Sequence, residues 1–183
     1  MKLAGENAVL KRCVLWFGCT AAILVCVLDA RAQAPAPVPE AMPFDIPYGT
    51  PIALDTAQKA IIAAETEAKK HNWKMAIAVV DPAGQLIAHA TMDDTQHGSI
   101  EFAQAKARTA AAFRRSSKAF ADAINGGSPS ELTTMILERG GAVEGGFPIV
   151  VDGKLIGAIG ASGGLGAQDG VTAKAGLDAV TAH

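Results

Sequence analysis

The dipeptide Asp152-Gly153 stands between two apolar runs, 147–151 and 154–161, with no other residue to make the connection. A two-residue link of this chemistry closes a hairpin, and hairpins pair their strands antiparallel. Asp81-Pro82-Ala83-Gly84 makes a second such punctuation, between an unbroken apolar run at 75–80 and a returning run at 85–92. The first run has no polar face, so it is predicted to be an inner strand.

The segments between and around the hairpins carry helical spacing. Ala57, Ala60, Ile61, Ala64 and Ala68 recur at three- and four-residue steps. Asp55 is placed to cap that helix, with Gln58 completing a capping box. Ser99 is expected to cap an alanine-rich helix to about Phe113. Ser116 or Ser117 opens a third, which Asn125-Gly126-Gly127 closes. Ser128-Pro129-Ser130-Glu131 begins a fourth, and a last helix is expected over about 167–179. The order helix, hairpin, helices, hairpin, helix predicts an α+β fold rather than a doubly wound sheet.

The N-terminal third has a different character. Lys2, Lys11 and Arg12 precede an apolar run from Cys13 to Leu28, and Ala30-Arg31-Ala32 follows with a small-x-small pattern. These features predict a signal peptide over 1–32 and a periplasmic or secreted product. Cys13, Cys19 and Cys26 all lie inside it, so the remaining chain can build neither disulfides nor a thiol centre. The segment carries four of the chain's 16 basic residues and two of its 18 acidic ones, leaving 12 against 16. An acidic balance of this kind argues against nucleic acid as a partner. Residues 33–51 hold six prolines and read as an arm whose second half, with Phe44, Ile46 and Tyr48, docks on the domain at 52–183.

Candidate chemistry is sparse. Ser162-Gly163-Gly164-Leu165-Gly166 leads into the last helix, and a glycine-rich turn there can offer amides to a carboxylate or phosphate. Tight packing is the alternative use of the same glycines. Among the histidines, His97 sits in a polar loop before a helix and His89 within a strand. His71 and His183 lie at a helix end and the C-terminus. Lys106, Arg108, Arg114, Arg115 and Lys118 form a basic cluster, read most simply as a solvated helix face. No histidine pair has metal-ligand spacing, and Ser162 lacks a nucleophile elbow. The alanine stripe at 103, 107, 110 and 111 allows close helix approach. With few aromatics, it predicts a thin core supplemented by burial between subunits.

Three stretches taken in order, IAVVDPAGQLIAHATMDD, SIEFAQAKARTAAAFRRSSKAFADAI and EGGFPIVVDGKLIGAIGASGG, resemble the GlcG/HbpS family. That family also supplies the C-terminal domain of PduO-type cobalamin adenosyltransferases. The resemblance runs from about Ile52 to the C-terminus. It implies a profilin-like antiparallel sheet flanked by helices, assembled into homo-oligomers such as octamers. It also implies a heme-binding protein, in some relatives one that degrades heme or senses redox stress with a membrane kinase. Heme iron takes His, Met, Tyr or Cys. His97 is the first candidate axial ligand and His89 the second, with Ser162, Gly163 and Gly164 as a seat for propionates. The competing reading is a small-molecule enzyme or accessory protein acting on an organic acid at the glycine-rich turn.

Overall fold

In the computed structural model, which describes residues 38, 40–42, 44–137 and 139–182, the strand without a polar face is an inner one. β1 (Ala76–Val80) is buried along its whole length. It lies between β2 (Leu86–Thr91) and β4 (Lys154–Ser162), with β3 (Gly146–Val151) beyond β4, in the order β2-β1-β4-β3. Every strand pair is antiparallel. Around this sheet run α1 (Leu54–Lys70), α2 (Gly98–Phe113), α3 (Ser117–Asn125), α4 (Pro129–Leu137) and α5 (Gly166–Thr181). This is the α+β architecture that the two hairpins require. The segment 1–32 expected to be a signal peptide, the start of the arm and His183 lie outside the described residues.

Alternation along β1 divides the core in two. Ile77 and Val79 join Ala57, Ala60, Ala64, Ile159 and Ala173, the layer under α1 and α5. Ala76, Ala78 and Val80 meet Ala103, Ala107, Ala110 and Ala111 of α2 on the opposite face. The alanine stripe is therefore spent inside the chain, on its own sheet, rather than between subunits. Small side chains let the helix backbone come very near: a Cβ built on Gly160 of β4 would lie 2.1 Å from the Ala103 carbonyl oxygen. That contact explains a glycine in mid-strand.

Both turns behave as their chemistry dictates. Asp152 and Gly153 have φ of 51° and 72°, the double left-handed conformation of a tight hairpin turn. At the other hairpin the Asp81 carboxylate accepts hydrogen bonds from the Ala83 and Gln85 amides at 2.8 and 2.9 Å.

Two expected caps are not formed. α1 begins at Leu54 with Ala53 at its cap position and no side-chain cap; Asp55 remains in the first turn, where its charge suits the helix dipole. α2 begins before Ser99, whose side chain is buried in the interior and makes no cap.

The arm docks as expected. β1 ends at Val80, opposite Ala158, so the first residues of β4 extend beyond it. The arm takes up that edge: Leu155 N–H donates to the Pro47 carbonyl, Gly49 N–H to Leu155 and Ile52 N–H to Ile156, each at 2.8 Å. The Tyr48–Leu155 bridge is parallel. Arg114 donates to the Ile46 carbonyl at 3.0 Å, and Arg115 lies against the Phe44 and Phe120 rings.

Gly160→Ala tests the close helix approach. Its new methyl meets backbone rather than a movable side chain, so a loss of about 3 kcal/mol is expected in urea unfolding. Unchanged stability would show that α2 can withdraw from the sheet at no cost.

Candidate functional site

Lys106 occupies a position in the alanine stripe of α2 and is 1% exposed. Its ammonium donates to Asp169 Oδ2 of α5 at 2.6 Å and to the Ala161 carbonyl at 3.1 Å. Burial pushes the Asp169 carboxyl above its ordinary value, against the opposing pull of Lys106 and of the Gly164 and Gly163 amides. The pair joins a helix on one face of the sheet to a helix on the other, around the end of β4. Lys106 is thus not part of a solvated face. Nor do the other members of the basic cluster act together. Arg114 and Arg115 hold the arm, and Lys118 pairs with Asp122 one turn along α3.

The glycine-rich turn sits on the same ion pair. Ser162 is the last residue of β4, buried and in register with Ala76. Gly163 passes so near the preceding loop that an added Cβ would lie 2.0 Å from the Lys74 carbonyl oxygen. The Gly164 amide donates to Asp169 Oδ1 at 3.0 Å and the Leu165 amide to Gln168 Oε1 at 2.8 Å. Amides that could face an external anion are therefore engaged by side chains of α5 itself. Outside the turn lies a cleft of about 340 Å³ whose lining includes Trp73, Lys74, Asp94, Gln96, Gly164 and Gln168. Gln96 reaches the Gly163 carbonyl at 3.5 Å, bringing the loop before α2 to this turn.

The two histidine candidates lie elsewhere. His97 is exposed at the residue preceding α2. His89 pairs with Ala78 and so lies on the sheet face that carries α2. Its Nε2 is enclosed without a hydrogen-bond partner. Desolvation lowers its pKa below 6.5, with the Glu101 charge pulling the other way. Glu101 stands one turn after His97 on α2, so the exposed His97 and the enclosed His89 both lie toward the N-terminal end of that helix. His71 stacks on Trp73 with ring centroids 4.4 Å apart and meets Glu67 at 3.2 Å. Among the described residues no group of three or more His, Cys, Asp or Glu side chains is arranged to hold a metal ion.

The chain has counterparts in sequence and in fold. The family described as "Haem degrading protein HbpS-like" matches residues 52–178. The Protein GlcG of Escherichia coli K12 is 44% identical over 111 residues, 61% of this chain and 81% of that protein. A double mutant of Streptomyces reticuli HbpS is 28% identical with a TM-score of 0.67, covering 81% of this chain and 98% of its own. PduOC in complex with heme is 26% identical with a TM-score of 0.66, covering 71% and 95%. The chain belongs to the HbpS-like family.

Asp169→Ala should be severely destabilising. It leaves the Lys106 ammonium buried without its counter-charge, at a cost of about 3–5 kcal/mol. Lys106→Met combined with Asp169→Leu should recover more than half of that loss in chemical denaturation. A double variant as unstable as the single one would mean that the pair is not coupled.

Proposed function

We propose that this chain is an exported heme- or tetrapyrrole-binding protein serving storage, scavenging or sensing. The observation that carries the reading is its likeness to heme-complexed PduOC over 95% of that domain. The donor chemistry fits: three cysteines fall in the segment 1–32, which leaves the domain its histidines, Tyr48 and its methionines as axial donors. His97 is exposed and reachable, whereas the His89 Nε2 is unpartnered but enclosed. His97 is therefore the proposed axial ligand, with His89 second. Bound heme would supply a redox-active iron; the chain's own part is to hold and orient it.

Hemin titration checks this. The protein should develop a Soret band, and His97→Ala should lose or markedly shift it, with circular dichroism unchanged. Spectra unaltered in both His97→Ala and His89→Ala would sink the histidine assignment. The cleft beside the glycine-rich turn, with Lys74 and the Trp73 indole, favours a second reading in which an organic acid is bound or processed there. Saturable binding of a small carboxylate in a protein that gives no Soret band would support that alternative.

Export and assembly belong to the same proposal. The basic start, apolar run and Ala30-Arg31-Ala32 site support cleavage before Gln33, and the family resemblance supports a homo-oligomer. Mass spectrometry of the periplasmic or secreted product should give Gln33 as its first residue, and light scattering four or more subunits. Full-length chain confined to membranes, or a monomer at micromolar concentration, would contradict the corresponding statement.

A further inference from the structure

Two adjoining clefts, of about 310 and 160 Å³, share Arg108, Arg139 and Gly140. Both guanidiniums are on the surface, yet among the described residues neither has an acidic partner. Among the described residues the Arg108 side chain hydrogen-bonds Gln104 Oε1, at 3.4 Å. Each arginine adjoins a packed stretch of backbone. The Arg108 stem lies over Gly84, its Cγ 3.5 Å from where a Cβ would stand. Arg139, with φ of 49°, precedes a turn that is tied to α2 by the Gly141 amide donating to Thr109 Oγ1 at 2.9 Å. Beside the arginines the larger cleft is floored by Phe102 and Ala105 of α2, and Phe102 is 56% exposed.

The groove also carries opposite charges at its two ends. Glu101 marks its far end, seven residues or roughly 10 Å along the helix from Arg108. That end is the one nearest His97 and His89. A ligand carboxylate is repelled at the Glu101 end and finds two forked donors at the other, the geometry in which guanidinium and carboxylate pair best.

We infer that Arg108 and Arg139 bind the carboxylates of a flat, largely apolar ring that lies over Phe102 and Ala105. The inference rests on the heme reading and adds an orientation to it, with propionates toward Arg139 and the ring centre toward the histidine end. It moves the anion contact away from the glycine-rich turn, whose Gly164 and Leu165 amides Asp169 and Gln168 already occupy.

Metal-free protoporphyrin IX, followed by its own fluorescence, removes iron ligation from the measurement, and its dimethyl ester removes the carboxylates. Wild-type protein should bind the free acid at least about tenfold more tightly than the ester, as one charge-assisted contact predicts. R108Q/R139Q should lose that preference while its circular dichroism is unchanged. If that variant does not fold, the acid-to-ester ratio in wild type decides. Equal binding of acid and ester by wild type, or an undiminished preference in the variant, overturns the arginine assignment and leaves the heme reading standing. Arginine-dependent binding of the acid with no Soret response to hemin keeps the groove and overturns the heme reading. Binding of neither porphyrin overturns the arginine assignment, and the hemin titration then decides the heme reading.

Discussion

A lysine ammonium and an aspartate carboxylate taken out of water together are costly to place and more costly to separate. Lys106 and Asp169 are held in that condition, and much of the domain is arranged to keep them there. α2 must lie flat on the sheet for Lys106 to reach past β4, and only alanines, with Gly160 beneath them, permit that approach. α5 must start where β4 ends for Asp169 to meet the ammonium. The glycine-rich turn is the short link that starts it there, and it lends Asp169 an amide. The start of β3 must pass over Lys106 so tightly that a Cβ on Gly146 would lie 2.4 Å from the Lys106 carbonyl oxygen. Ser117 secures that passage, donating to the Val143 carbonyl and accepting from the Gly146 amide.

The same dependence explains what could be read in advance. Strand pairing, turn type and helix order follow from local chemistry, and Asp152-Gly153 or the apolar run at 75–80 announces its role within a few residues. The buried pair does not, since its members are sixty-three residues apart and each has an ordinary local role. Lys106 completes a basic-looking series, and Asp169 suits a helix start. One signal was present: Lys106 falls at the same helical face as Ala103, Ala107 and Ala110, where a solvated lysine has no place. The two missed caps have a similar origin. Ser99 has the right chemistry for an N-cap, but packing draws its side chain into the interior.

Ligand-facing features were legible as residue types but not as a constellation. His97 and His89 are eight residues apart on a loop and a strand. His97 is one helical turn from Glu101 by sequence alone, but His89 comes near that side chain only because α2 packs back across the sheet. Arg139 carries no motif at all. Its partnership with Arg108 exists because the turn after α4 is bonded to Thr109, one residue on from Arg108. The glycines that looked most ligand-like in the sequence turn out to serve α5 and the Lys74 loop. The less conspicuous outer side of α2 carries the accessible charge and the exposed ring.

The arm along β4 has a mechanical meaning. Its backbone bonds to Leu155 and Ile156 lie side by side along the strand, reinforced by Arg114 on the Ile46 carbonyl. Tension applied along the arm's axis loads these bonds together in shear, instead of peeling them one after another from an end. A pull on the docked arm is delivered to the central sheet as a shared load, so the domain does not unravel first at residues 47–52.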